Sequence, residues 1–248
     1  MHRFYLPPEN CRGTSLRLDG REAHHALHVL RLKRDERVTV LDGAGGEFLC
    51  SVENASKDSL TLTVTEKHSK PAPACAITLL VAIPKGKIIE DIIQKAVELG
   101  AHRIVPLLTE RVVTQLDGEG AEHKREKWQQ VAVEAIKQCG AAWLPKVETP
   151  VTIPTFLGRG EKIELVLVGS LQTERRHPRE WVAEFKKQHG RRPQTAAAWI
   201  GPEGDFTLGE LQAIEAGGAK PVTLGNLTLR VETAAVYCLS ILNYELQT

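Results

Sequence analysis

The chain has 248 residues, of which 42% are hydrophobic and 25% are charged, and its formal net charge at pH 7 is +1. These values are ordinary for a globular protein, and the length allows either one large domain or a small and a medium one. A chain of this size can bury a core without disulfides or a structural metal. The balanced charge excludes a polycation, so a nucleic acid would have to meet a local concentration of positive charge.

The five cysteines, at positions 11, 50, 75, 139 and 238, show no metal-binding pattern. Their number is odd, their spacing is wide and no CxxC pair is present, so we expect no metal site. Cys139 and Cys238 lie in apolar helical patterns and are predicted to be buried thiols. The N-terminus has no apolar signal-peptide core and no apolar run is long enough to span a membrane, so we expect a soluble, cytoplasmic protein with reduced thiols.

Short strands separated by turn residues fill the first seventy positions and predict a small β-barrel domain over residues 1–70. One helical stretch, Glu22–Leu30, interrupts them and carries its apolar residues on one face. The predicted strands are His2–Leu6, Ser15–Leu18, Arg37–Leu41, Glu47–Val52 and Ser59–Val64.

A basic cluster follows this helical stretch. Its members are Arg31, Lys33, Arg34 and Arg37, and His24, His25 and His28 stand just before it. Because Asp35 and Glu36 lie inside the cluster, it is either a solvated charged turn or a patch that contacts phosphates. The i, i+4 spacing of His24 and His28 would suit a metal, but no carboxylate or cysteine completes a ligand set.

After a proline-punctuated linker, Ser69–Ala74, strands alternate with amphipathic helices, which predicts a mostly parallel sheet over residues 75–248. The predicted strands are Ile77–Ile83, Arg103–Leu107, Ile163–Val168, Ala196–Ile200 and Pro221–Leu224. The predicted helices are Ile88–Leu99, His123–Cys139, Pro178–Gln188, a helix capped by Thr207 that ends near Ala216, and Ala234–Leu242.

Two glycine-bearing turns follow neighbouring apolar strands, Gly201–Gly204 after one and Gly225–Asn226 after the other. Glycines just past strand ends let a ligand approach the backbone closely, and ligands of open α/β sheets bind at the carboxyl ends of the strands. We interpret the two turns as walls of one small-molecule site. Spacing alone fits ordinary turn glycines equally well.

These turns carry a resemblance to a known family. Residues 201–206 (GPEGDF) and 224–234 (LGNLTLRVETA) resemble the signature of the SPOUT methyltransferases, specifically the RsmE family, which methylates N3 of a uridine in small-subunit ribosomal RNA. Further blocks resemble the same family at residues 24–31, 85–90, 94–100, 109–111 and 134–140. The resemblance therefore covers most of the chain.

The resemblance implies a PUA-like RNA-binding barrel followed by a SPOUT domain with a trefoil knot, S-adenosylmethionine as cofactor, a homodimer, and 16S rRNA or the small ribosomal subunit as partner. Its cofactor loops correspond to Val168, Gly169, Ser170, Leu171, Gly201, Pro202, Glu203, Gly204, Leu224, Gly225, Asn226, Leu227 and Leu229. Its RNA-binding positions correspond to His25, Arg31, Lys33, Arg34 and Lys85.

Methylation at N3 requires that the imide proton leaves, which a positioned base would assist. Candidates for this chemistry near the strand ends are Glu203 and Glu232 as bases, and Arg111 and Arg230 as cations that lower the imide pKa. For both glutamates the sequence favours a purely structural role, so it does not identify the base. Arg111, Glu203 and Arg230 are the predicted catalytic residues.

The chain also departs from the family pattern. Ala141 and Leu227 stand where the family usually has arginine, and Asp205 replaces the glycine that often follows the first turn. An alternative function is therefore an inactive RNA-binding member of the same fold. A nucleotide-dependent oxidoreductase is rejected because neither turn fits G-x-G-x-x-G. Arginine and lysine outnumber glutamate seven to three over residues 172–192, either as a solvated helix face or as a second RNA patch.

Overall fold

A computed structural model describes residues 1–111, 118–171 and 175–247. The chain forms two compact units, Met1–Ala72 with Val133–Leu144, and Pro73–Ala132 with Pro145–Thr248. The predicted first domain ended at residue 70 and did not include the second segment. The predicted helix His123–Cys139 has an unbroken pattern. The sequence therefore gives no sign that its last residues, from Val133 onward, belong to the first unit.

The first unit contains one five-stranded sheet in the order β1-β3-β4-β5-β2. Its strands are β1 (His2–Tyr5), β2 (Ser15–Leu18), β3 (Arg37–Leu41), β4 (Gly46–Ala55) and β5 (Leu60–Ser69). β1 pairs with β3 in parallel and the other pairs are antiparallel. Burial alternates along β4, where Phe48, Cys50 and Val52 are buried, because successive side chains of a strand face opposite sides. All five predicted strands are confirmed.

The predicted helical stretch between β2 and β3 is confirmed, but it changes from α-helix to π-helix. Helix α1 (Gly20–His24) runs into a π-helical turn, His25–Val29. Ala23 and Ala26 are buried, so one face still packs on the core of this unit. Such π-helical turns are uncommon and recur at functional sites.

The segment Val133–Leu144 is held in the first unit by charged contacts. The ammonium of Lys137, only 8% exposed, lies 2.7 Å from Glu22 and 3.1 Å from Glu134. Arg3 donates a 3.0 Å hydrogen bond to the carbonyl of Gln138. The prediction that Cys139 is buried is wrong, because this residue ends its helix and its side chain is exposed.

The second unit contains a parallel sheet in the order β12-β10-β11-β6-β7-β8, and β9 also pairs with β7. Its strands are β6 (Ala76–Ala82), β7 (Arg103–Leu108), β8 (Lys146–Val147), β9 (Val151–Thr152), β10 (Leu165–Gly169), β11 (Thr195–Ile200) and β12 (Lys220–Val222). Its helices are α2 (Ile88–Glu98), α3 (Gly118–Cys139, shared with the first unit), α4 (Ile153–Leu157), α5 (Pro178–His189), α6 (Leu208–Ala216) and α7 (Val231–Gln247).

The central strands of this sheet are buried on both faces. In β11 every residue after the first is buried, and Trp199 packs in the same core as Phe206. A strand covered on both faces has a continuous apolar sequence, which is why the predicted strands here are confirmed. β8, β9 and α4 were not predicted, because elements of two to five residues are too short to show a period.

Cys238 in α7 is buried, as predicted, and burial raises the pKa of its thiol to about 12. Within the ranges that the structure describes, no helix combines the length and apolar character needed to cross a membrane.

Candidate active site

A cleft opens at the carboxyl ends of β10, β11 and β12. It holds about 600 Å³ of empty space, part of it open to solvent. It is lined by Gly169, Ser170, Leu171, Arg175, Ile200, Gly201, Pro202, Glu203, Asp205, Val222, Leu224, Gly225, Leu227, Thr228, Leu229, Val231 and Ala234. The parallel strands bring the two glycine turns together, as the sequence predicted.

Ten of the thirteen residues predicted from the cofactor loops line this cleft, and three do not. Val168 is fully buried in β10, while Gly204 and Asn226 are exposed beside lining residues. The lining residues that were not predicted are Arg175, Ile200, Asp205, Val222, Thr228, Val231 and Ala234. Ile200 ends a predicted strand, so the strand-end rule itself was the signal that could have found it. Val222 ends the observed β12 but lies inside the predicted strand Pro221–Leu224.

The turn after β11 is the centre of the site. The amide of Asp205 donates to the carbonyl of Pro202 at 2.9 Å, which closes a β-turn. The carboxylate of Asp205 accepts from its neighbour Phe206 at 2.8 Å and from the amide of Leu171 at 3.0 Å. One side chain therefore joins the turn after β11 to the loop after β10.

Arg111 supports the same turn from the loop after β7. Its guanidinium donates to the carbonyl of Gly204 and, at 3.2 Å, to that of Asp205. A Cβ atom at Gly204 would lie 3.4 Å from Cδ of Arg111, so the side chain of Arg111 passes close over the turn. The structure thus gives this predicted catalytic residue a positioning role for the turn.

Glu203 and Arg230, the other predicted catalytic residues, are both exposed. Glu203 lines the cleft, and its Oε1 atom accepts a long, 3.5 Å hydrogen bond from the amide of Lys85. Arg230 lies between two lining residues, and in the described ranges its side chain makes no hydrogen bond or ion pair. Both side chains are therefore available to a substrate at the rim. Glu232, in the first turn of α7, does not line the cleft.

Glu210 is a supporting residue at the start of α6. It is 8% exposed, and it completes a capping box with Thr207 at the start of α6. Its second carboxylate oxygen accepts from the amide of Glu110 at 2.8 Å. It therefore ties the loop that carries Arg111 to the helix that follows the turn. Capping boxes are visible in sequence, but this long-range contact is not.

The loop after β12 depends on glycine for its backbone conformation. Gly225 has φ +114°, a value that residues with a Cβ atom rarely adopt. The hydroxyl of Thr223 accepts from the amide of Gly225 at 3.3 Å and donates to its carbonyl at 3.0 Å. This wall of the cleft is therefore formed by backbone held in a fixed turn.

In the first unit, the basic cluster after the π-helical turn is exposed. Arg31, Lys33 and Arg34 form no side-chain ion pair within the described part of the chain, although Asp35 and Glu36 are neighbours in sequence. His25 is half-buried, and its ring lies edge-on to Phe4 at 6.1 Å. Three cations without carboxylate partners favour a phosphate-contacting patch over a self-neutralised turn.

The cations of residues 172–192 are mostly paired. Arg176 binds Glu180 and Glu184, and its guanidinium lies 4.1 Å from the ring centre of Trp181. Arg191 binds Glu164. Glu174, counted in the predicted cluster, lies outside the described residues. These pairs favour the solvated helix face over a second RNA patch.

Comparison with known proteins identifies the family. Residues 70–243 match the family described as RNA methyltransferase domain, and residues 18–65 match the one described as RNA methyltransferase PUA domain. The chain belongs to the ribosomal RNA small subunit methyltransferase E family. Its relative from Synechocystis sp. is 32% identical over 252 residues, covering 100% of this chain and 78% of the relative. The relative from Bacillus subtilis is 29% identical and covers 92% and 89% of the two chains.

Solved structures agree with this family. A methyltransferase from Legionella pneumophila, solved with the cofactor SAM, has a TM-score of 0.87 and 31% identity, covering 98% of this chain and 96% of its own. The ribosomal RNA small subunit methyltransferase E of Neisseria gonorrhoeae, bound to S-adenosyl methionine, has a TM-score of 0.85 and 25% identity over 98% and 97%. The predicted fold class, a PUA-like domain followed by a SPOUT-type α/β domain, is confirmed, and the chain is an RNA methyltransferase. The trefoil knot stays a prediction.

Proposed function

We propose that this chain transfers a methyl group from S-adenosylmethionine to N3 of a uridine in small-subunit ribosomal RNA. The observation that carries the proposal is the cleft at the carboxyl ends of β10, β11 and β12, which both predicted glycine turns line. The family supplies the reaction class, and its relatives are named for small-subunit ribosomal RNA.

The lining of the cleft suits S-adenosylmethionine in its chemistry. Its walls are strand-end loops with close access to backbone at Gly169, Gly201 and Gly225, which suits hydrogen bonding to an adenosine. The side chain of Arg175 lines it, as do two carboxylates, Glu203 and Asp205. When bound, the cofactor supplies a methyl group on a positively charged sulfur, whose C–S bonding electrons return to sulfur as the nucleophile attacks.

The chain's own residues would place the uridine and manage its proton. Arg111 fixes the turn after β11, so its contribution is to hold that wall in the geometry that binds. Glu203 is the candidate that accepts the N3 proton, because its carboxylate lines the cleft and is exposed to the incoming base. Arg230 is the candidate cation beside the developing imide anion, because its guanidinium has no other described partner.

We infer that Arg31, Lys33 and Arg34, with His25, bind phosphates of the RNA in the first unit, and that Lys85 contacts RNA at the rim of the second. The unpaired charge of the first three supports this role. Since ribosomal RNA is the proposed substrate, the cytoplasm is the proposed location.

We also infer that α7 forms a homodimer contact. Tyr237 and Tyr244 lie seven residues apart, on one face of α7, and are 42% and 72% exposed. Tyrosine is enriched at protein interfaces. Sedimentation of the wild type and of a Tyr237→Glu, Tyr244→Glu variant tests the contact, and equal mass for both would contradict it.

The reaction is tested with labelled S-adenosylmethionine and small ribosomal subunits that lack the modification, followed by digestion to nucleosides. Label in 3-methyluridine is the expected result. Label in another nucleoside would support methyltransferase activity but assign a different target nucleotide. No label together with no cofactor binding would instead favour the inactive RNA-binding alternative, which the residues Ala141 and Leu227 keep open.

A further inference from the structure

Asp205 is unusual both in its backbone and in its side chain. Its φ is +62°, in the left-handed region that residues with a Cβ atom seldom occupy, although aspartate tolerates it best after glycine and asparagine. Each carboxylate oxygen accepts from a backbone amide, one from Phe206 and one from Leu171. Backbone outliers that are held by their surroundings concentrate at functional sites, so this residue calls for a functional explanation.

The carboxylate also changes the charge of the cleft. The ionisable side chains among the described lining residues are those of Arg175, Glu203 and Asp205. The guanidinium of Arg175 donates to the carbonyl of Ser170 at 2.9 Å. Ser170 directly follows β10, in the same loop whose Leu171 amide donates to Asp205. The lining therefore carries one more carboxylate than it carries cations. Glu203 is exposed at the rim, whereas Asp205 is half-buried between the two loops, where a charge is screened less by solvent.

The methylation reaction changes the charge of the ligand by one unit. S-Adenosylmethionine carries a sulfonium cation. After transfer, the electron pair of the broken C–S bond stays on sulfur, which becomes a neutral thioether. A carboxylate in the cleft attracts the first ligand electrostatically and loses that attraction for the second.

We propose that Asp205 is a specificity-determining residue that makes the cleft prefer the cationic cofactor over its neutral product. The inference rests on the proposed function of the cleft. It predicts easier product release as well as cofactor selection, because the same charge favours only one of the two ligands.

A purely structural role is the competing explanation. If Asp205 only joins two loops, its removal loosens the cleft and lowers the affinity for every ligand by a similar factor. If its charge selects the ligand, removal lowers the affinity for cationic ligands more than the affinity for neutral ones. The ratio of affinities separates the two roles, whereas activity alone would not.

The test is isothermal titration of the wild type, Asp205→Asn and Asp205→Gly with three ligands. S-Adenosylmethionine and sinefungin are cationic at the reacting position, the second through an amine, and S-adenosylhomocysteine is neutral there. Glycine suits the backbone at φ +62° but makes neither hydrogen bond, whereas asparagine keeps one acceptor oxygen. Asp58→Asn is the matched control, an exposed carboxylate in the first unit.

We expect the affinity ratio of the cationic ligands to S-adenosylhomocysteine to fall about tenfold in both Asp205 variants and to stay unchanged in Asp58→Asn. Equal weakening of all three ligands would overturn the inference and leave the proposed function intact. A wild-type protein that binds none of the three would overturn the proposed function itself. Circular dichroism checks the fold, and if the glycine variant is unfolded, the asparagine variant decides.

Discussion

Gly225 shows how one residue can serve a site without a side chain. Its φ of +114° would cost a residue with a Cβ atom about 1–3 kcal/mol, yet a Cβ atom there would meet no atom within 4 Å. We therefore predict that Gly225→Ala shifts the loop and weakens S-adenosylmethionine binding roughly tenfold, the equivalent of about 1.4 kcal/mol. Titration calorimetry measures the loss, and the melting temperature should fall by only a few degrees, because the exposed loop can shift and relieve part of the strain.

The matched control for that substitution is Gly209→Ala. Gly209 lies in the first turn of α6, has open space around it and has an ordinary φ, so alanine should be tolerated or slightly stabilising. Cofactor affinity should equal that of the wild type. Unchanged affinity in a folded Gly225→Ala protein would remove this loop from the cofactor site.

At the same scale, Glu164 predicts a pH dependence of stability. Hydrogen bonds from Arg191, and then from the amide of Gln194, lower the pKa of its carboxyl to about 2. A depressed pKa in the folded state adds stability above the unfolded pKa of about 4.5, and this stability is lost as pH falls towards 2. The wild type should therefore exceed Glu164→Gln in stability at pH 6 by a small, solvent-screened amount.

Urea denaturation of both proteins between pH 6 and pH 2.5 measures that difference. It should be constant above about pH 5 and shrink steadily below it, as the carboxyl of the unfolded wild type takes up a proton. A difference that stayed constant down to pH 2.5 would mean that the ion pair of Glu164 and Arg191 contributes nothing in solution.

At the scale of elements, α6 holds the turn after β11 through its capping box. Glu210 accepts from the amides of Thr207 and Glu110, so Glu210→Ala leaves two amides without a partner. We predict a loss of about 1–3 kcal/mol in the free energy of unfolding, together with weaker cofactor binding, because the loop that carries Arg111 is released. Thr207→Ala should cost about 0.5–2 kcal/mol.

Thr207→Ser is the control for the capping box, since serine keeps the hydroxyl that accepts from the amide of Glu210. Denaturation and cofactor titration should both be measured on Glu210→Ala, Thr207→Ala and Thr207→Ser. If Glu210→Ala lowers stability but leaves cofactor affinity unchanged, the contact with Glu110 does not position the site.

Comparison of sequence and structure at this scale separates local signals from long-range ones. The capping residue Thr207 and the strand ending at Ile200 follow from spacing within a few residues, and both could be predicted. The contact of Asp205 with Leu171 joins residues 34 apart, and that of Arg111 with Gly204 joins residues 93 apart. Such contacts depend on the order of strands in the sheet, which periodicity does not encode, so the supporting network of the site could not be predicted.

For the whole molecule, the basic cluster proposed to bind RNA and the cleft proposed to bind the cofactor lie in different units. Arg31, Lys33 and Arg34 lie in the first unit, and all described lining residues of the cleft lie in the second. Replacing the three cations by glutamine should therefore leave cofactor affinity unchanged while it weakens RNA binding. If each neutralises one phosphate, the slope of log K against log salt falls by about 2 to 3.

The control for this experiment replaces three other exposed cations of the first unit, Arg12, Lys67 and Lys70, and so removes the same net charge. Binding to a fragment of small-subunit ribosomal RNA at several salt concentrations then separates local contacts from overall charge. A slope that changes equally in both variants would mean that only net charge matters. A slope that changes in neither would mean that the cluster is solvated and that RNA is held elsewhere. A change confined to the variant of Arg31, Lys33 and Arg34 would assign the phosphate contacts to the residues that follow the π-helical turn, and would give that turn a function in presenting them.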